Sequence, residues 1–202
     1  MTRFLYLVRH GDASPHDGPL SPAGQEQARL TGRRLKDVPF SAVYHGPLPR
    51  AAQTAKLIAA SLPGVPVSAC DLAGDYIPSD PDPDGLPRRF ADFVASFPAA
   101  ERAAGAARAE AARERFIRPD DGQPDGYELV VTHNFLLGWL VSQALDAPPW
   151  RWLGLNQMNC ALTILACRLG LPTALITFND ASHLPPELRW TGFPATLRPA
   201  SA

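Results

Sequence analysis

The 202-residue chain is poor in lysine, sulfur and net charge. Lys36 and Lys56 are the only lysines among 19 basic residues, so positive charge here means arginine. A formal net charge of -1 supplies no basic field of the kind that draws a protein to nucleic acid. A bound anion must therefore be held locally. No stretch reaches the roughly 18 apolar residues of a membrane span, and the opening MTRFLYLVRH lacks the apolar centre of a secretory leader. The expectation is a cytoplasmic protein without membrane association. The three cysteines, Cys70, Cys160 and Cys167, form no C-x-x-C pair and read as reduced core thiols. Five histidines without H-E-x-x-H spacing or a Cys/His cluster give no metal site, and no cofactor is expected. Neither an internal repeat nor a heptad pattern is present, and nothing fixes an oligomeric state. What remains suits one domain over residues 1–202, large enough to bury about 70% of its unfolded surface.

The apolar run RFLYLV reads as a strand buried on both faces, and Ser21-Pro22 as the cap and first residue of a helix through SPAGQEQARLTGRRLKDV. FSAVYHG gives a second strand. PLPRAAQTAKLIAASL gives a helix with Leu48, Ala52, Ala55 and Leu62 on its apolar side, and GVPVSAC a third strand. The crowded prolines and aspartates of DLAGDYIPSDPDPDGLP exclude regular structure and predict a stiff, acidic, exposed rim. Residues 86–118 are helical, with alanines for close packing and arginines interleaved with glutamates on a solvated face, which does not indicate RNA. GYELVVTHNFLLGWLVSQAL is a strand ending at His133 that passes into an apolar helix. NCALTILACRL and PTALITFND form a hairpin turning near Gly170. Trp139, Trp150, Trp152 and Trp190 read as packing residues. The order predicts an α/β fold, a three-layer α/β/α sandwich with a mostly parallel central sheet, in which residues 71–118 form a lid or insertion.

In open α/β sheets ligands sit beyond the carboxyl ends of strands. Arg9 and His10 finish the first strand, Arg50 lies in the first turn after the second, and His133 finishes the YELVVT strand. Two arginines and two histidines therefore converge on one crevice. A guanidinium fork matches two phosphate oxygens at once, and two such forks nearly neutralise a monoester dianion and lower its repulsion of an incoming nucleophile. A neutral imidazole is the natural attacker. For His10 to attack through one ring nitrogen, the other must keep its proton on an acceptor such as a backbone carbonyl in the turn at Gly11, and neighbouring arginines favour the unprotonated ring. Asp12 reads as a turn or helix-start residue, and Ser14 and His16 lie near the mouth. His45 is read as satisfied by backbone and His183 as structural.

LVRHG, LSPAGQEQA, VYHGPLPRAAQTA, VVTHN, LNQMNCALTIL and FNDASHL resemble, in order, the histidine phosphatase superfamily, also called phosphoglycerate mutase-like. The resemblance implies His10 as phosphorylated nucleophile, Arg9 and Arg50 as phosphate ligands, and His133 as a further ligand steadying the transferring group, without metal. His45-Gly46 stands where the family often has a serine pair, and Asn134 where it has glycine. The glutamate of the mutases is missing between residues 70 and 85, which speaks against mutase activity. LAGDYIPSDP resembles a variant in which the donor acid stands three residues before a proline; this assigns Asp75, with Asp71 in reserve. The implied activity is phosphomonoester hydrolysis through a phosphohistidine, on a phosphorylated small molecule or phosphoprotein. RHGDA also resembles the short bacterial phosphohistidine phosphatases, which gives a phosphohistidine phosphatase acting on phosphoproteins as the alternative. A phosphate-binding module that has lost turnover is the rival outside catalysis.

Overall fold

The computed structural model describes residues 1–13, 18–118 and 125–200. Six strands, β1 (Thr2–Arg9), β2 (Ala42–His45), β3 (Val67–Ala69), β4 (Gly126–Thr132), β5 (Leu162–Arg168) and β6 (Ala174–Asp180), form one sheet in the order β3-β2-β4-β1-β5-β6. β3, β2, β4 and β1 pair in parallel, and β5 is antiparallel to both β1 and β6. The sheet is thus mostly parallel. Alternation along β1 sends Leu5 and Leu7 into one core and Val8 into another, because successive side chains of a strand leave opposite faces. Against the Leu5/Leu7 face pack α4 (Ala99–Phe116) and α5 (Asn134–Ala144). Against the Val8 face pack α1 (Pro22–Leu35) and α2 (Pro49–Ala59). This is the three-layer arrangement expected.

The local signals explain the element starts. Ser21 caps α1 by accepting from the Gly24 amide at 3.0 Å, with Pro22 in the first turn. In α2 the buried side is Ala51, Ala55 and Ile58, continued by Leu62; of the expected apolar side Ala55 and Leu62 lie on it, whereas Leu48 and Ala52 are only half-buried. The correction concerns the start of the helix: Leu48 is the residue before it, and the first turn buries Ala51 rather than Ala52. The expected strand GVPVSAC shrinks to three exposed edge residues, and the helical stretch 86–118 divides into α3 (Arg88–Ala95) and α4, broken before Pro98. β4 ends at Thr132, so His133 is the cap of α5 rather than its strand's last residue. Cys160 and Cys167 are buried thiols; Cys70 is only half-buried.

The rim was expected to be exposed, and its first half is not. Ala73, Gly74 and Tyr76 to Ser79 are buried, leaving Asp71, Asp75 and Asp80 facing out. Tyr76 and Ile77 carry the segment into the core under α4, where Gly105 admits it: a Cβ there would stand 2.1 Å from the Ile77 carbonyl oxygen. Regular structure is limited to single 3-10 turns at Asp71–Ala73 and Pro83–Gly85.

Candidate active site

Register brings the two histidines together. β1 and β4 are adjacent and parallel with Arg9 opposite Thr132, so His10 and His133 are the next residues on neighbouring strands, and their ring centroids lie 5.0 Å apart. The His10 amide donates to the Thr132 carbonyl at 2.9 Å, and Asn159 Nδ2 donates to the His10 carbonyl at 2.8 Å. His10 is 8% exposed. Its Nδ1 lies 2.8 Å from the Gly11 carbonyl oxygen and can only donate there, which leaves Nε2 as the lone-pair nitrogen. Arg50 Nε donates to that Nε2 at 3.2 Å. Gly11 is packed so closely on α1 that a Cβ would meet the Gly24 carbonyl oxygen at 2.6 Å, and its amide donates to Thr54 Oγ1, which itself donates to the Arg50 carbonyl. One hydroxyl thus joins the loop after His10 to α2. Asp12 ties the same loop to α1 instead, accepting from the hydroxyl of its cap residue Ser21 at 2.6 Å, as a turn residue should. Ser14 and His16 lie outside the described residues.

Arg50, in the first turn of α2 and buried, pairs through Nη2 with Asp75 Oδ2 at 2.8 Å. Of the two candidate acids, Asp75 is therefore the one ion-paired with Arg50; Asp71 stands exposed at the opening of the 3-10 turn. Asp75 Oδ2 also approaches His133 Nδ1 to 3.5 Å. His133 is 1% exposed, and neither ring nitrogen has a hydrogen-bond partner among the described residues. Burial first, then electrostatic coupling to His10 and to the Arg50 and Arg9 guanidinium groups, push its pKa down to about 2, so it is a neutral ring and the approach to Asp75 is not a salt bridge. Arg9 Nη1 donates to the Gln157 and Gly192 carbonyls, both at 2.6 Å, while its Nε is buried without a partner among the described residues. Burial lowers its pKa to about 10, with Asp75 opposing and Arg50 adding to the shift; it stays charged at neutral pH. Arg9, His10, Arg50, His133 and Asp75 thus share one electrostatic neighbourhood. Two guanidinium groups, a lone-pair nitrogen and a neutral ring short of partners form a cradle for a tetrahedral anion. No group of three or more His, Cys, Asp or Glu among the described residues is placed to hold a metal ion.

Supporting residues work through backbone, and of these the sequence singled out only Asn134. Asn134 Oδ1 accepts from the Gln157 amide at 2.9 Å, and the Gln157 carbonyl receives Arg9, so the residue after His133 steadies the far arginine. Gln157 contributes through its own main chain and the Asn159 side chain bonds to main chain, and neither leaves a residue-type signature. Gly46 has a steric cause: a Cβ there would lie 2.4 Å from the Ala73 carbonyl oxygen and 3.0 Å from His133 Nε2, so a serine would displace the Asp75 segment. His45 is satisfied by backbone, with Nδ1 2.8 Å from the Gly46 oxygen, and His183 meets Thr31 Oγ1 at 3.0 Å.

The chain matches the family model of the histidine phosphatase superfamily (branch 1) over residues 5–72 and 85–180. The unmatched stretch between them carries Asp75. It is 34% identical over 195 residues to the human serine/threonine-protein phosphatase PGAM5, mitochondrial, covering 92% of this chain and 65% of that protein. It is 33% identical over 193 residues to Pgam5 of Caenorhabditis elegans, covering 92% and 66%. The chain therefore spans about two thirds of the length of the curated relatives it matches. In fold it is similar to a mycobacterial glucosyl-3-phosphoglycerate phosphatase, with TM-score 0.68 and 21% identity over 90% of this chain and all of that one. The cytoplasmic expectation is corrected by these relatives, which are named mitochondrial. It rested on the missing apolar leader, and a chain shorter than its relatives carries no information there.

Proposed function

The chain belongs to the histidine phosphatase superfamily, and from that premise we propose that it hydrolyses phosphate monoesters through a phosphohistidine on His10, with phosphorylated serine or threonine side chains of proteins as substrates. The observation that carries the reading is the state of the His10 ring, whose Nδ1 is held on Gly11 while Nε2 keeps its lone pair beside the Arg50 guanidinium. The Nε2 lone pair attacks phosphorus as the ester P–O bond breaks, and Asp75 gives its proton to the leaving oxygen. Water then attacks phosphorus, Asp75 takes the water proton, and the P–N bond breaks to restore Nε2. Arg9 and Arg50 hold the phosphoryl oxygens, and His133 donates its one N–H to them, gaining the partner it lacks. The Arg50–Asp75 pair supplies the switch for the acid: an arriving phosphate takes Arg50's donors and places negative charge beside the carboxyl, the condition under which it holds a proton. Residues 71–118 act as the lid that positions this carboxyl.

The protein substrate follows the curated relatives named above, and no small-molecule specificity is carried over from the mycobacterial fold neighbour. The test measures phosphate release from p-nitrophenyl phosphate and from phosphoserine and phosphothreonine peptides by wild type and His10→Ala. Turnover of both substrate kinds, abolished in the variant, supports the reading. Binding of phosphate without turnover of any substrate would support an inactive module instead.

A further inference from the structure

A second cavity, of about 480 Å³, adjoins the site and takes no part in the chemistry above. Its walls are aromatic, with Phe90 and Phe93 from α3, Phe135 from the first turn of α5, and Trp152. Trp152 is fixed by its indole N–H, which donates to Ser79 Oγ at 2.7 Å, and it packs edge-on to Phe135 with ring centroids 5.2 Å apart. Phe93 remains 36% exposed despite contacts with Phe97, Phe135 and Trp152. An exposed aromatic cluster of this kind marks an interaction surface.

Two arginines, Arg89 and Arg151, line the same cavity, and no carboxylate does. Their neighbours are committed: Arg88 faces Asp92 at 3.9 Å and Arg102 binds Asp80 at 2.6 Å. Arg89 has no acidic partner among the described residues, and Arg151 donates only to the Leu153 carbonyl, at 3.0 Å. Connection to the reaction centre runs through two residues. Asn134 and Phe135 follow His133 directly and line this cavity, and Phe135 also lines the smaller cavity of about 180 Å³ that contains Asp75. Phe135 is thus a wall common to the aromatic cavity and the one lined by Asp75.

We propose that this cleft reads the residues flanking the phosphorylated one, taking an apolar side chain on its aromatic floor and an acidic side chain, Glu or Asp, at Arg89 and Arg151. The inference rests on the phosphoprotein reading and deepens it to a class of sequence. Carboxylates suit the rim because guanidinium forks pair with them, and the absence of acidic lining leaves the field uncancelled.

The test compares kcat/KM on phosphoserine peptides identical except for Glu, Gln or Lys two or three residues from the phosphoserine, on either side, beside a constant Phe. Glu over Lys by about 3- to 10-fold is expected, the scale of two exposed ion pairs, with the preference weakening in high salt. Arg89→Ala/Arg151→Ala brings the ratio close to one, and Arg89→Glu/Arg151→Glu inverts it. Equal rates on the Glu and Lys peptides in the wild type overturn the inference while the phosphoprotein reading stands. Failure to cleave any peptide, with p-nitrophenyl phosphate still hydrolysed, overturns both. The wild-type panel decides even if a variant does not fold.

Discussion

At the scale of single residues the site runs on protons whose positions are set by neighbours. Asp75 stands between Arg50 and His133 and is offered as the acid for the leaving group. An alkyl alcohol needs that proton more than a nitrophenol or an imidazole does. Asp75→Asn is therefore expected to cut kcat on an alkyl phosphate by about 10²- to 10⁴-fold, with a smaller loss on aryl phosphate and little on a phosphohistidine peptide. Equal, negligible effects across the three would remove Asp75 from the chemistry. His133 gives a pH dependence of known sign. Its folded pKa, near 2, is below that of the unfolded ring, about 6.5, so protons bind the unfolded chain preferentially between those values. Stability is then full above pH 6.5 and falls as the pH is lowered. Between pH 7 and pH 5 the loss is roughly 2 kcal/mol, or about 4 to 8 °C in Tm for a domain of this size. Thermal melts of His133→Asn should show a smaller drop over that interval than wild type, with the remaining His183, shifted the same way, still contributing. An identical drop would show that burial of His133 is not what the fold resists. That Arg9, His10, Arg50 and His133 would meet was legible because Arg9 and the two histidines follow apolar runs and Arg50 opens the helix after the second strand, all at the carboxyl ends of strands. Gln157 and Asn159 were not legible, since one offers Arg9 its own carbonyl and the other holds the His10 carbonyl.

At the scale of elements, close approach of backbone to backbone decides more than propensity does. Gly105 sits inside α4, where alanine is ordinarily favoured by about 1 kcal/mol. Here the added methyl would meet the Ile77 carbonyl at 2.1 Å, and backbone cannot step aside as a flexible side chain can. The clash wins: Gly105→Ala is expected to lower stability by about 1 to 3 kcal/mol, roughly 2 to 12 °C in Tm, and to reduce alkyl-phosphate turnover by moving the segment that carries Asp75. A Tm unchanged or raised would mean that helix and segment are free to part. This contact also explains why the rim was misread. Its prolines and aspartates are those of an exposed loop, yet Tyr76 and Ile77 are only two apolar residues among them, and two residues make no period that announces burial. Strand ends and helix caps were legible where a local chemical cause exists, as at Ser21-Pro22, and shifted by a residue where none does, as at Leu48 and His133.

At the scale of the whole molecule, one sheet with helices on both faces delivers three parallel strand ends, β1, β2 and β4, to the same edge. His10, Gly46 and His133 follow those ends, and the 3-10 turn bearing Asp75's segment is tied there by Thr132 Oγ1 donating to the Ala73 carbonyl at 2.8 Å. The α/β class and the layer arrangement were readable from the alternation of strand and helix, whereas strand order, which crosses from β2 to β4 to β1, has no local signal. Compartment was not readable either. The central claim concerns where the phosphoryl group rests between the two halves of the reaction. The direct measurement is rapid quenching of wild-type enzyme during turnover of a phosphopeptide, followed by mass spectrometry of its proteolytic fragments under neutral and acidic conditions. One added phosphoryl group on the fragment containing His10, lost in acid and missing in His10→Ala, is the expected result. Sustained turnover with the phosphoryl group on any other residue, or with His10 never modified, would contradict it.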